Sequence, residues 1–165
     1  MQRRTWRVAL VVLVAVGALA ATAYGAVVAG PPKPKSVPFQ NAVPGSGKGL
    51  KLGYISLGES VPFVRLVSNG IKAQAKRAGA KLVFCDSALD PAKALDCAKT
   101  FKTEGVQGYL NFQVTQNAAP AICKAGPKVP VIAIDIHQKP CERAFMGANN
   151  LYAGYIAGEA VGLYF

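Results

Sequence analysis

The sequence contains few of the residues from which enzyme sites are built. Its first fifty residues include no aspartate or glutamate, and all 165 residues together include one histidine. A single histidine excludes metal centres that need several imidazole ligands. No G-x-G-x-x-G fingerprint follows the first apolar strand, and the chain has no G-x-S-x-G elbow. We therefore expect no enzyme activity, no cofactor and no bound metal.

The basic residues are too dispersed for a nucleic-acid surface. The formal net charge is +11, but residues 51–165 carry 13 Lys/Arg against 8 Asp/Glu, and the rest of the excess lies in the first fifty residues. Within residues 51–165 the densest basic run is Lys76-Arg77. Proteins that bind nucleic acid through their charge cluster it on one face. We expect no nucleic-acid partner.

Residues 1–29 have the features of an export signal. Arg3, Arg4 and Arg7 precede an uncharged apolar stretch at 8–29, and Ala21-Thr22-Ala23 fits the A-x-A cleavage pattern. Twenty-two uncharged residues are also long enough to span a bilayer, so cleavage and retention as a membrane anchor both stay open. Basic residues before the stretch place the domain outside in either case. We expect the periplasm or the outer face of the cytoplasmic membrane.

The rest of the chain divides into a linker and a domain. Residues 30–50 are rich in proline, glycine and lysine, which predicts an extended linker. Beyond them, apolar strands alternate with amphipathic helices, with strands predicted at 52–57, 81–85, 106–112, 129–134 and 145–147. This alternation indicates an α/β domain over residues 51–165, a doubly wound parallel sheet with helices on both faces.

Two predicted helices have recognisable ends. The first is expected over 63–78 and stops at Gly79, and the second starts with Asp90 as its N-cap and closes at Gly105. The helical period predicts one buried stripe on the first helix, made of Phe63, Leu66, Val67, Ile71, Ala75 and Ala78.

The four cysteines predict two disulfides. Their number is even and all four lie beyond the export segment, which favours disulfides. They lack the closely spaced pairs that are typical of a zinc site. Cys85 ends the second strand and Cys97 lies in the helix that follows. Cys123 ends the third helix and Cys141 follows the fourth strand. We predict the pairs Cys85–Cys97 and Cys123–Cys141.

Polar side chains follow almost every predicted strand. Parallel sheets of this kind bind ligands at the carboxyl ends of their strands. Planar groups that exchange hydrogen bonds, beside an aromatic ring, suit a polyhydroxylated ligand. The alternative is that these residues only cap helices and shape loops. The candidates are Glu59, Phe63, Asp86, Asn111, Gln113, Asp135, His137, Asn149 and Asn150.

Several short motifs occur in a familiar order over about 110 residues. They are Val61-Pro62-Phe63 at the first helix, Asp90-Pro91-Ala92-Lys93 at the second, the strand Val129–Asp135, and Gly147-Ala148-Asn149-Asn150 before the final helix. In this order and spacing the chain resembles the amino-terminal lobe of type I periplasmic binding proteins, the ribose-binding family of sugar ABC transporters.

The resemblance implies roles for three residues. Phe63 is expected to pack on a sugar ring, Asp135 to bind sugar hydroxyls, and Asn150 to complete this lobe's half of the site. The chain departs from the family at three positions, because Val61, Val64 and Ile136 stand where an asparagine, a second aromatic residue and often an arginine are found. The resemblance therefore implies a sugar or polyol, without favouring ribose.

The resemblance also implies partners. It predicts a solute-binding protein that serves an ABC transporter permease, with membrane contact through residues 8–29 if they are not cleaved. A membrane-anchored sensor domain that reports ligand occupancy to a signalling partner is the alternative. The family has two lobes joined by a hinge, and this chain ends at Phe165, before the first crossing. We expect it to be one truncated lobe that binds sugars poorly alone.

Overall fold

The computed structural model describes residues 30–35 and 38–165, and the predicted export segment lies outside them. The described residues fall into two compact units. One is Lys35–Asn149, and the other combines residues 30–34 with Asn150–Phe165. Among the described residues, no helix is both long and apolar enough to cross a membrane.

A five-stranded parallel sheet forms the centre of the first unit, in the order β2-β1-β3-β4-β5. The doubly wound α/β fold is confirmed. Its strands are β1 Lys51–Ser56, β2 Lys81–Asp86, β3 Gly108–Asn111, β4 Val131–Ile134 and β5 Glu142–Met146. Its helices are α1 Pro62–Ala78, α2 Pro91–Glu104 and α3 Ala119–Ala125, with a 3-10 turn at Gln116–Ala118 before α3. The second unit contains α4, Asn150–Tyr164.

Alternate residues of each strand pack on opposite faces of the sheet. On one face Ile55, Tyr109 and Val131 join buried residues of α2 and α3, such as Phe101 and Ile122. On the other face a second cluster packs beneath α1, made of Tyr54, Val64, Phe112 and Ile134. Period-two alternation thus gives both faces a hydrophobic core, which stabilises the sheet by removing apolar surface from water.

The predicted helix ends are confirmed. The Asp90 carboxylate accepts a hydrogen bond from the Ala92 N–H at 2.8 Å and caps α2. Gly79 and Gly105 end α1 and α2 in the left-handed conformation, with φ of 74° and 65°. Such caps satisfy carbonyl groups that the last helical turn leaves without partners.

The predicted buried stripe of α1 is wrong at its first two positions, whereas Val67 and Ile71 pack partly buried against the core as predicted. Phe63 and Leu66 are exposed, whereas Val64 and Ser68 are buried against the sheet. The buried Tyr54 hydroxyl lies 3.0 Å from Ser68 Oγ, so this helix face gives a sheet hydroxyl its hydrogen-bond partner. An unpaired buried hydroxyl is costly, which favours the burial of Ser68, a polar residue that apolar periodicity alone does not place in the core.

The predicted linker is fixed to the domain over residues 42–50. The Ala42 N–H donates to Gln74 Oε1 at 2.7 Å, and Arg77 Nε donates to the Ala42 carbonyl at 2.7 Å. The Gly47 N–H donates to the carbonyl of Ala78 at 2.8 Å. This stretch is therefore not an extended tether, because side chains and carbonyls near the end of α1 hold it.

Both predicted disulfides are confirmed. Cys85 and Cys97 join β2 to α2, with Cα atoms 5.7 Å apart. Cys123 and Cys141 join α3 to the residue before β5, with Cα atoms 5.6 Å apart. The second bridge anchors the connection between β4 and β5, residues 135–141, which we call the β4–β5 loop.

Candidate ligand-binding site

The carboxyl edge of the sheet brings most of the sequence-predicted candidates into one region. The loops after β1 to β4 all emerge there, because the strands are parallel. Some of these side chains are exposed and others are used inside the protein. The geometry of each group determines which of them can meet a ligand.

Glu59 is held by internal hydrogen bonds. Its Oε1 accepts from Ser56 Oγ at 2.6 Å and from Ser68 Oγ at 2.5 Å, and Lys72 Nζ lies 3.8 Å from Oε2. Burial alone would raise the pKa of Glu59, but the hydrogen bonds from Ser56 and Ser68 outweigh it and the pKa is lowered. One carboxylate oxygen is thus occupied by serines of β1 and α1.

Asp86 is exposed at the end of β2 and shapes the neighbouring loops. Its Oδ1 accepts from the Ala88 N–H at 2.9 Å and from the Glu59 N–H at 3.3 Å. The second contact joins the loops that follow β1 and β2. Asp86 therefore positions the part of the edge that carries Glu59.

Phe63 is an exposed aromatic residue at this edge. It lies in the first turn of α1 and is 62% exposed. Its ring meets the buried ring of Phe112 edge to face, with centroids 6.5 Å apart. The contact holds the ring while leaving most of its surface open to a ligand.

Asn111 and Gln113 are fully buried beside the β4–β5 loop. Asn111 Nδ2 donates to Gln138 Oε1 at 2.5 Å, and Gln113 Nε2 donates to the carbonyl of His137. Within the part of the chain that the structure describes, Asn111 Oδ1 and Gln113 Oε1 have no hydrogen-bond partner. Buried acceptors of this kind are usually satisfied by an ordered water or a bound group.

Asp135 stands directly after β4 in an unusual backbone conformation. Its φ of 61° is left-handed, its side chain is exposed, and its N–H donates to the Met146 carbonyl at 2.8 Å. A residue other than glycine pays a conformational cost in this region, and such residues cluster at functional sites. The left-handed turn takes the chain out of the sheet with an exposed carboxylate at the turn.

His137, Glu142 and Phe145 form a second ordered group near Asp135. His137 Nδ1 lies 2.8 Å from Glu142 Oε1, and the imidazole stacks on the Phe145 ring with centroids 4.1 Å apart. The Gln138 N–H donates to Glu142 Oε2 at 2.7 Å, and Lys139 Nζ lies 2.7 Å from Oε1. Burial would raise the pKa of Glu142, but these bonds outweigh it and lower the pKa to about 2.

The two asparagines occupy different places. Asn149 is exposed at the end of the first unit. Asn150 begins α4 and belongs to the second unit. The roles predicted for both residues stay predictions.

A cavity of about 610 Å³ elsewhere in the first unit offers a different chemistry. It lies under α1, and its lining is mainly apolar, including Phe39, Leu50, Leu52, Ile71, Leu82 and Leu110. Hydroxyl groups transferred from water into such a lining lose hydrogen bonds without replacement. The carboxyl edge is the better candidate for a polar ligand.

Three residues that hold the groups of this edge were missing from the predicted set. Gln138 is fully buried and receives the Asn111 hydrogen bond, Glu142 anchors His137, and Phe145 carries the stacked ring. A partial signal exists for Glu142, since an acidic residue five positions after a histidine in a short loop can reach its ring. Gln138 belongs to the polar residues that follow the fourth predicted strand, which is its signal, whereas no local pattern marks Phe145.

The fold and its polar strand ends define a class of protein, the doubly wound α/β domains that bind small ligands at the carboxyl edge. No family model and no curated protein matches the chain. Solved structures do. A Mycobacterium smegmatis protein in complex with β-D-fucofuranose is 24% identical with a TM-score of 0.59, and the match covers 68% of this chain and 39% of that one. A periplasmic ribose ABC transporter protein from Conexibacter woesei is 25% identical with a TM-score of 0.56, covering 69% and 41%.

A third match has the same character. An ABC transporter solute-binding protein from M. smegmatis with bound glycerol is 21% identical with a TM-score of 0.58, covering 61% of this chain and 36% of that chain. The chain thus spans about two fifths of the length of these structures. Its resemblance to the type I periplasmic binding proteins is confirmed at the level of the fold.

Proposed function

We propose that this chain supplies one wall of a binding site for a sugar or polyol in an exported solute-binding protein. The observation that carries the proposal is the exposed Asp135 carboxylate, held in a left-handed turn at the carboxyl edge of a doubly wound sheet. Phe63 adds an exposed ring at the same edge. A carboxylate accepts hydrogen bonds from vicinal hydroxyls, and an aromatic ring covers apolar C–H groups, so the pair suits a carbohydrate.

The comparisons support the same ligand class. Of three solved structures with this fold, one contains β-D-fucofuranose, one contains glycerol and one is a periplasmic ribose ABC transporter protein, and all three compounds are polyhydroxylated. The two disulfides support export, because disulfides persist in oxidising compartments. We extend the proposal to delivery of the ligand to an ABC transporter permease.

A titration followed by NMR tests ligand class and site together. The labelled chain is titrated with pentoses, hexoses and polyols, and with amino acids as small polar ligands that lack a row of hydroxyls. We expect saturable shifts of the Asp135 and Phe63 backbone signals with at least one sugar or polyol, at an affinity on the order of millimolar because the chain supplies only one wall of the site. Saturable shifts with amino acids alone, or shifts confined to the apolar cavity under α1, would contradict the proposal.

Deletion of the gene separates the transporter partner from the sensor alternative. Loss of uptake of the radiolabelled sugar is expected if the protein feeds a permease. Unchanged uptake together with a lost transcriptional response to that sugar would favour the sensor. Sequencing the mature amino terminus shows whether residues 8–29 are removed or kept as an anchor.

A further inference from the structure

The rings of His137 and Phe145 stack face to face beside the Asp135 turn. Their planes are inclined by 25° and their centroids are 4.1 Å apart. The His137 side chain is 47% exposed and Phe145 is 41% exposed. The pair therefore leaves a large aromatic area accessible at the edge where the candidate site lies.

Glu142 fixes the orientation of the imidazole. Its carboxylate is only 4% exposed and contacts His137 Nδ1, the Gln138 N–H and Lys139 Nζ at 2.7–2.8 Å. A carboxylate accepts hydrogen bonds, so Nδ1 carries the proton that it shares with Glu142. Nε2 is then the ring nitrogen left to exchange a hydrogen bond with another molecule.

Gly147 fixes the position of the Phe145 ring. A Cβ atom at Gly147 would lie 2.6 Å from Phe145 Cζ and 3.5 Å from the Cα of Asp135. The ring thus occupies the space of the missing side chain, and the same glycine lies against the backbone of Asp135. This close approach, which a residue with a Cβ atom would prevent, places the Phe145 ring beside the backbone of Asp135.

We propose that the His137–Phe145 pair packs against the C–H face of a cyclic sugar whose hydroxyls bind Asp135, and that it selects cyclic sugars over acyclic polyols. This inference rests on the proposed function and deepens it by naming the ligand class. A furanose or pyranose ring presents a continuous apolar face to an aromatic surface, and burying that face is favourable. An acyclic polyol has no fixed face and loses more conformational entropy when it is ordered.

D-ribose and ribitol are a matched pair of probes, because they have the same number of carbons and differ in the ability to close a ring. The full chain is labelled with ¹³C in the phenylalanine and histidine rings and titrated with each. We expect the Phe145 and His137 ring signals to shift with D-ribose, and ribitol to bind about tenfold more weakly. Phe145→Leu should weaken D-ribose binding by about tenfold, a difference near 1.4 kcal/mol, and leave ribitol almost unaffected. Phe39→Leu is the control, because it removes a ring that is 78% exposed and lines the apolar cavity under α1.

Glu142→Gln tests the positioning role separately. The ¹⁵N shifts of the imidazole report which nitrogen carries the proton. We expect Nδ1–H in the wild type and a mixture of tautomers in the variant, with weaker D-ribose binding. Unchanged tautomer and affinity would overturn the role of Glu142.

The remaining outcomes are distinguishable. Saturable binding at Asp135 with no shift of either ring, and with no effect of Phe145→Leu, would overturn the role of the His137–Phe145 pair and leave the proposed function standing. Equal affinity for D-ribose and ribitol would overturn the selection for cyclic sugars. Absence of any saturable shift at the carboxyl edge would overturn both the proposed function and the role of the His137–Phe145 pair.

Discussion

Asn111 at the end of β3 donates a 2.5 Å hydrogen bond to Gln138 in the β4–β5 loop, and both side chains are fully buried. The bond spans 27 residues of sequence and joins two strand ends of the candidate site. It shows how a residue predicted to bind ligand can instead hold the loop that carries ligand-facing groups. Asp135 and His137 belong to that loop.

Replacing Gln138 with leucine should destabilise the protein and loosen the loop. The change leaves the buried Asn111 amide without its acceptor, which should lower the free energy of unfolding by about 1–3 kcal/mol. Urea denaturation measures the loss. Gln116→Leu, at an exposed amide, is the control and should change stability by less than about 0.5 kcal/mol. Equal effects of the two substitutions would show that the buried bond contributes nothing.

The two disulfides should have different local effects. Replacing Cys123 and Cys141 together with alanine should lower the free energy of unfolding by roughly 2–4 kcal/mol and increase hydrogen exchange in the β4–β5 loop. The matched variant lacks Cys85 and Cys97, which join α2 to β2, the outer strand on the side of the sheet away from β5. It should lose stability while keeping the loop protected. Equal loop exchange in both variants would contradict the anchoring role of the Cys123–Cys141 bridge.

Glu142 should make stability depend on pH in the acid range. Its pKa is lowered to about 2 in the folded protein because the hydrogen bonds from Lys139, Gln138 and His137 outweigh its burial. A carboxyl group with a lowered folded pKa stabilises the protein above its unfolded pKa, and this contribution disappears as the pH falls through the folded pKa. The free energy of unfolding should therefore decrease between about pH 5 and pH 2.

Acid titration of two variants checks the assignment to Glu142. Glu142→Gln should flatten the decrease, because the amide does not titrate. Glu104→Gln removes an exposed carboxylate that pairs with Lys51 at 3.4 Å, and it should keep the wild-type decrease. Identical acid profiles for the wild type and Glu142→Gln would refute the assignment.

The sequence predicts most of the fold because the relevant signals are local. Apolar runs between amphipathic helices identify all five strands, and Asp90 and Gly105 mark the ends of α2. The order of strands and helices along the chain predicts which cysteines form disulfides. The burial of Ser68 on α1 could not be predicted, since it depends on the contact with Tyr54 across the core.

The candidate site is only partly predictable, because some of its contacts join distant parts of the chain. The position of Asp135 follows from where β4 ends, and sheet topology brings the strand ends to one edge. The burial of Asn111 depends on Gln138, and the stack of His137 on Phe145 depends on the path of the β4–β5 loop. Contacts between distant parts of the chain leave no periodic pattern in the sequence.

The most direct measurement of the central claim compares ligand binding by the wild type and Asp135→Ala. The ligand is the sugar that gives the strongest saturable response, and affinity is measured by titration calorimetry or NMR. Because the Asp135 side chain is exposed, its removal should cost little stability, whereas losing its hydrogen bonds to ligand hydroxyls should weaken binding by more than tenfold. Asp96→Ala, at an exposed position of α2, should bind as the wild type does. Unchanged affinity in Asp135→Ala would contradict the account.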